Sequence, residues 1–157
     1  MFFLKELPTR QVLEGYQKRF PAMNIDAVDS ALQLLRQASV LLRILDAYFA
    51  KHNLSQLRFL ILIVLDRETD RTGLMPSEVA SRLDVSRPVI ARTLKALSNE
   101  ELLVLDRDDA DSRAKLIRLT EKGRRTLQQV LPGYYREIDQ FMSARQEGSH
   151  HDRKHSS

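Results

Sequence analysis

The sequence predicts a mainly α fold with a single small β-hairpin. Three observations predict it. Apolar residues recur at three- and four-residue spacing over most of the chain. Only "LLVLDR" and "AKLIRL" alternate like strands, and they flank a polar turn. Helix-opening residues stand before several of the periodic runs, at Ser55, Pro76, Ser86 and Thr120.

The elements follow in order. Pro8 to Phe20 reads as a short helix closed by Pro21. A longer helix spans about Asp26 to His52, with Val28, Leu32, Leu35, Ala38, Leu42, Leu45 and Phe49 on one stripe. Leu34, Val40, Leu41 and Ile44 add a second apolar side. A helix apolar on more than one face must be wrapped by its own domain or by a partner chain. Ser55 caps a helix through about Arg67. Its "FLILIVL" core would also suit a buried strand, but Leu57, Leu60, Ile61, Val64 and Leu65 extend one helical face, and no Gly or Pro bounds the run closely. "DRETDRTG" is a polar connection. Pro76 opens a helix to about Leu83, with Glu78 in its first turn. "DVS" is a tight turn, and Ser86 caps the next helix, through about Asn99, with Pro88 tolerated in the first turn. After the hairpin, Thr120 caps a final helix from Glu121 to about Ala144, with a kink or break expected at Pro132 and Gly133. The polar tail "RQEGSHHDRKHSS" has no apolar periodicity and is expected to be disordered. Four regions result: helices in 1–54, a central region in 55–120, helices in 121–145 and a tail in 146–157.

Composition narrows the function. The chain has 157 residues, a net charge of +4 and no cysteine, which excludes disulfides, thiolate catalysis and Cys-based zinc sites. "MFFLKELPTR" is shorter than a signal-peptide core, and "FLILIVL" is too short to span a bilayer, so a soluble cytoplasmic protein without membrane association is expected. No phosphate loop, nucleophile elbow, HExxH or plausible Ser/His/Asp set is present. The carboxylates of Asp108, Asp109 and Asp111 fall on an exposed turn where nothing would tune them for acid–base work. The expectation is therefore no enzyme, no cofactor and no metal. His150, His151 and His155 could chelate loosely, but a disordered tail makes a poor fixed site. Between Met75 and Gly123 acidic and basic residues balance, so a case for nucleic acid rests on where the charges sit.

Helix, tight turn, helix and two-stranded hairpin together make a winged helix-turn-helix. The second helix of such a unit enters the major groove. In "SRPVIARTLKAL", Val89, Ile90, Leu94 and Leu97 form the buried stripe, while Ser86, Arg87, Arg92, Thr93 and Lys95 fall off it. Arg87, at the entering end, can take a guanine bidentately or clamp a phosphate. Arg92 and Lys95 lie further along, toward phosphates or the groove wall. In the wing, "DRDDADSRAKLIRLT", Arg113 can reach the minor groove if it is held extended. Asp111, two residues earlier, can pair with it, and Lys115 follows. Asp109 and Asp111 also form turns readily. Taken singly, a basic helix face and an acidic turn are ordinary solvated features; their combination points to duplex DNA. A winged helix used for protein contact or dimerisation remains open, as does a DNA-binding activator or antirepressor.

From about Met75 to Gly123 the chain resembles the MarR family of transcriptional regulators. The likeness lies in "MPSEVASRLDVSRPVIARTLKALSNEELL", "RDDADSRAKLIRLTEKG" and the closing "LTEKG". Asp111 and Arg113 match the family's wing-tip pair. There are departures: Glu101 stands where the family usually has glycine, Met75 where it has Ser or Thr, and Leu105 where a basic residue is common. The resemblance implies a mainly α homodimer with a two-stranded β-wing, flanked by N- and C-terminal dimerisation helices. Phe2, Phe3, Val12, Tyr16, Phe20, Leu127, Val130, Leu131, Tyr134, Tyr135, Ile138, Phe141 and Met142 would supply apolar surface for that interlock. It also implies a regulator, most often a repressor, on a pseudo-palindromic operator. Many such proteins release DNA when a small aromatic or phenolic acid binds between the dimerisation helices and the winged helix. Arg43, Tyr48, His52 and Arg58 fall near that junction.

Overall fold

The computed structural model describes residues 2, 4–68, 73–107 and 115–152, and the side chains of all of these except 107, 115 and 146–152. The order is α1 (Arg10–Arg19), α2 (Ile25–Lys51), α3 (Gln56–Asp66), α4 (Pro76–Ser81), α5 (Arg87–Asn99), β1 (Leu103–Arg107), β2 (Lys115–Leu119) and α6 (Glu121–Asp152). The chain divides into two compact units, Met1–Leu45 and Asp46–Ser157.

In the first unit, the Thr9 side chain accepts from the Val12 N–H at 3.4 Å and starts α1. Asn24 does the same for α2, accepting from Ala27 N–H at 3.0 Å. Leu13 and Ile25 are buried. Val12 and Tyr16 on α1 and Phe20 at its C-cap, four residues apart, are exposed, as are Leu34, Leu35 and Leu42 on α2 at 61%, 50% and 43%. Leu35 and Leu42 belong to the first apolar stripe and Leu34 to the second side, whose Val40, Leu41 and Ile44 are half-buried, so part of each side is exposed among the described residues.

The second unit begins with the end of α2. Asn53 adopts the left-handed conformation (φ 55°), the Leu54 N–H donates to the Phe49 carbonyl at 3.0 Å, and the Asn53 N–H donates to Ala50 at 3.1 Å. This pair of bonds closes the helix and turns the chain into α3. "FLILIVL" is helical, and Phe59, Ile61, Leu62, Val64 and Leu65 are buried within α3. They share a core with Val79, Ile90, Leu94, Leu97, Leu103 and Ile117. The strands pair antiparallel, Leu103 opposite Leu119 and Leu105 opposite Ile117. A third edge joins them: Leu74 and Ile117 exchange backbone hydrogen bonds at 3.1 and 2.7 Å. A single bridging pair leaves no period in the sequence, so Leu74, just after the "DRETDRTG" connection, shows no strand signal there.

Of the kink or break expected at Pro132 and Gly133, the break does not occur: α6 runs as one helix through both residues. Proline removes one backbone donor, the one that would serve the Gln128 carbonyl. The Tyr48 hydroxyl meanwhile donates to the Val130 carbonyl at 2.7 Å. A Cβ at Gly133 would collide with the Tyr48 ring and hydroxyl, so the glycine provides a seat for Tyr48. The helix also continues beyond Ala144 to Asp152, where a polar tail is expected to lie free. Arg145, Gln146 and Glu147 are good helix formers, and extending a helix costs less than starting one. Residues 153–157 of that tail, His155 among them, lie outside the described residues.

Candidate nucleic-acid interface

The candidate surface is built on α5, because its two faces differ so sharply. Ile90, Leu94 and Leu97 are buried, which turns Arg87, Arg92 and Lys95 outward, all exposed. Ser86 is the N-cap, yet its side chain makes no capping bond. Thr93 is half-buried and donates to the Val89 carbonyl of its own helix at 2.8 Å. Exposed Ala91 completes a line with Arg87 and Lys95, each four residues from the next.

Charge pairing separates this face from its surroundings. Arg58 pairs with Glu100, Arg82 with Glu68 and Arg118 with Asp106. Among the described residues, no carboxylate pairs with Arg87, Arg92 or Lys95. The balance of charge in the sequence therefore does not carry over to the α5 face, whose cations have no carboxylate partner among the described residues.

The other end of α5 is tied down. Glu101 adopts a left-handed conformation (φ 61°), its N–H donates to Ser98 at 3.0 Å, and the Leu102 N–H donates to Leu97 at 3.0 Å. The "LTEKG" segment holds this cap. Lys122 Nζ donates to the Glu100 carbonyl at 2.8 Å, and the Thr120 hydroxyl donates to the Glu101 carbonyl at 2.5 Å. The same hydroxyl accepts from the Gly123 N–H at 3.0 Å and so caps α6. Gly123 is required there, since a Cβ would strike the Leu102 carbonyl. Met75 has no side-chain oxygen to cap α4; Glu78 instead accepts from the Met75 N–H at 2.8 Å.

The sequence-predicted wing pair, Asp111 and Arg113, lies outside the described residues, as do Asp108 and Asp109. Lys115 is in β2, with its side chain outside them. The described base of the wing carries exposed Leu105 and the Asp106–Arg118 pair.

Of the four ligand candidates, Arg43 lies in the first unit and Tyr48, His52 and Arg58 in the second. Tyr48 and His52 come together, their rings 4.8 Å apart, but the Tyr48 hydroxyl is engaged by Val130. Arg58 is engaged by Glu100 and by the Asn53 carbonyl at 3.0 Å. Arg43, in the first unit, donates to Ser39 at 2.9 Å.

A family model described as transcriptional regulator SarA/Rot matches residues 43–130, more than half of the chain. The chain belongs to the SarA/Rot family of transcriptional regulators. It is a MarR-type winged-helix regulator, mostly helical with a two-stranded antiparallel sheet and helices at both ends. It is 27% identical over 139 residues to the HTH-type transcriptional repressor YetL of Bacillus subtilis, covering 88% of this chain and 83% of that one. Sco3205 of Streptomyces coelicolor, a MarR family regulator solved with DNA, is similar at TM-score 0.70 and 18% identity, covering 85% of this chain and 86% of its own. CouR of Rhodococcus jostii RHA1, solved with p-coumaroyl-CoA, is similar at TM-score 0.64 and 20% identity, covering 82% and 90%. No helix among the regulator's described residues is long and apolar enough to cross a membrane.

Three residues at the candidate surface are not singled out there by the sequence. Ala91 is flagged only by its spacing from Arg87 and Lys95. Thr120 and Lys122 hold the α5 cap, and that role appears only once β2 has brought them to Glu100 and Glu101.

Proposed function

We propose that this regulator is a homodimeric repressor that reads a pseudo-palindromic duplex, one α5 in each major-groove half-site. The observation that carries this is the α5 face of Arg87, Arg92 and Lys95, exposed and without carboxylate partners among the described residues. Arg87, at the helix start, is placed to contact a base; Arg92 and Lys95 neutralise phosphates, and Ser86 and Thr93 add polar contacts. Arg113 enters the minor groove, oriented by Asp111, with Lys115 beside it. The exposed apolar residues of α1 and α2, with Tyr135 and Met142 on α6, support a second copy as the covering partner. A two-fold dimer in turn requires a two-fold operator. The name of the YetL relative supports repression.

Release by a small aromatic or anionic ligand is part of the same proposal. Support comes from the likeness to CouR, solved with an aromatic acyl thioester, and from the adjacent Tyr48 and His52 rings. Such a ligand must bind the DNA-competent and released states unequally.

The test is fluorescence anisotropy with a pool of labelled duplexes over several salt concentrations. Binding should weaken steeply with salt, by about 0.9 log units per log unit of salt for each phosphate neutralised. A folded dimer that binds no duplex at low salt would favour the protein-contact alternative.

A further inference from the structure

The geometry points to Arg58 as the residue that positions α5 for base reading, acting through Glu100. The inference rests on DNA binding by α5 and adds a residue that does not face DNA.

Arg58 lies in the first turn of α3, and its side chain is only 20% exposed. One guanidinium nitrogen, Nη1, donates to the carbonyl of Asn53, the left-handed residue that ends α2. Another, Nη2, forms an ion pair with the carboxylate of Glu100, the C-cap of α5. That contact is made by charge and proximity rather than by a well-directed hydrogen bond, and Arg58 Nε is buried without a hydrogen-bond partner among the described residues. One rigid fork therefore spans the α2–α3 turn and the end of the base-reading helix. A buried guanidinium that leaves a donor unsatisfied is a poor source of stability. Geometry is what the contact supplies.

The lever arm makes that geometry matter. Arg87 and Glu100 stand at opposite ends of α5, about 20 Å apart at 1.5 Å per residue. A tilt of about 10° at the cap would move Arg87 by roughly 3 Å, a full hydrogen-bond length. Long side chains reaching phosphates can absorb that shift, but a bidentate contact to a base edge cannot. Loosening the Arg58–Glu100 link should thus erase discrimination between sequences and leave general DNA affinity in place.

The experiment measures the affinity of the full-length protein for a duplex selected from the random pool and for a scrambled duplex, across a salt series. The variants are Arg58→Met, Arg58→Lys and Glu100→Gln. The selected-to-scrambled ratio should fall at least about tenfold in Arg58→Met and Glu100→Gln, the size of one good base contact. Scrambled-duplex affinity and the salt slope should stay at wild-type values. Arg58→Lys should not restore the ratio, because one ammonium cannot replace the fork. Glu100 is half-exposed, so Glu100→Gln decides the matter if Arg58→Met fails to fold. A folded Glu100→Gln protein with the wild-type ratio overturns the inference. So does a drop in the salt slope on losing Arg58, which would mean direct phosphate contact. If the wild-type protein binds neither duplex, the DNA-binding proposal itself falls and takes this one with it.

Discussion

Glu101→Gly should make the protein more stable, an unusual outcome for removing a side chain. Glu101 holds φ at 61°, where a Cβ crowds the following carbonyl at a cost of about 1–2 kcal/mol. Glycine removes that cost but gains freedom in the unfolded chain, which returns about 0.5–1 kcal/mol. The lost carboxylate faces Lys122 at 3.8 Å on the surface, where such pairs count for little. The net gain is about 0.5–1 kcal/mol, or roughly 1–4 °C in Tm for a chain of this length. Thermal unfolding at one fixed protein concentration measures it, since the proposed dimerisation would make Tm depend on concentration. Glu101→Ala is the control: it keeps the Cβ, so it should gain nothing. Equal gains for alanine and glycine would locate the cost in the carboxylate and refute the backbone account. A lower Tm for the glycine variant would refute it as well.

The other predictions concern DNA and assembly. Arg87→Ala should weaken binding to the selected duplex by roughly 1–3 kcal/mol and relax preference at one base position, as competition with single-base variants would reveal. Lys95→Ala should weaken binding to every sequence alike and lower the salt slope by about one. Arg113→Ala should cost roughly 1–3 kcal/mol on all sequences, and Asp111→Ala should weaken binding although it removes a negative charge. Tighter binding by Asp111→Ala in the same anisotropy assay would mean that the acidic turn merely repels phosphate. Leu35→Glu combined with Leu42→Glu should yield monomers in sedimentation velocity, each leucine forfeiting about 1.5–3 kcal/mol of burial in the dimer. A dimer unchanged by both substitutions would place the interface elsewhere.

Most of the fold was legible because periodicity and capping act locally. Ser55 and Thr120 cap helices as their sequence positions imply, and the extended apolar face decided helix over strand for "FLILIVL". Of the kink or break expected at Pro132, only the break is excluded by the continuous α6, and the seat that Gly133 makes for Tyr48 could not be read locally because Tyr48 comes from another helix. The Leu74 bridge was illegible for a similar reason: its partner, Ile117, is distant in sequence and the bridge has no repeat. On α5, residue type and helical phase were enough to turn Arg87, Arg92 and Lys95 outward. Arg58 read as a ligand candidate because it is a cation near a junction, and only the folded chain brings it to Glu100.

Pairing resolves what the net charge leaves open. Arg82 and Arg118 are paired with acids of neighbouring elements, Glu68 and Asp106, and Arg58 with Glu100. A paired cation has its field largely cancelled beyond a few ångströms, and salt screens the rest. An unpaired arginine or lysine on a convex helix keeps its field and its donors for an approaching phosphate. Glu68, Glu100 and Asp106 then share a physical role: each is paired with a cation of the frame, while among the described residues Arg87, Arg92 and Lys95 of α5 have no acid partner. Asp111 beside Arg113 would extend the rule to the wing tip, with an acid aiming a cation rather than neutralising the surface. On that view, adding positive charge to a framework position already held by a pair should raise non-specific affinity without improving discrimination. In the proposed DNA-binding role, the number of basic residues would set how strongly the protein clings to DNA, and the pairing of the remainder which residues can read it.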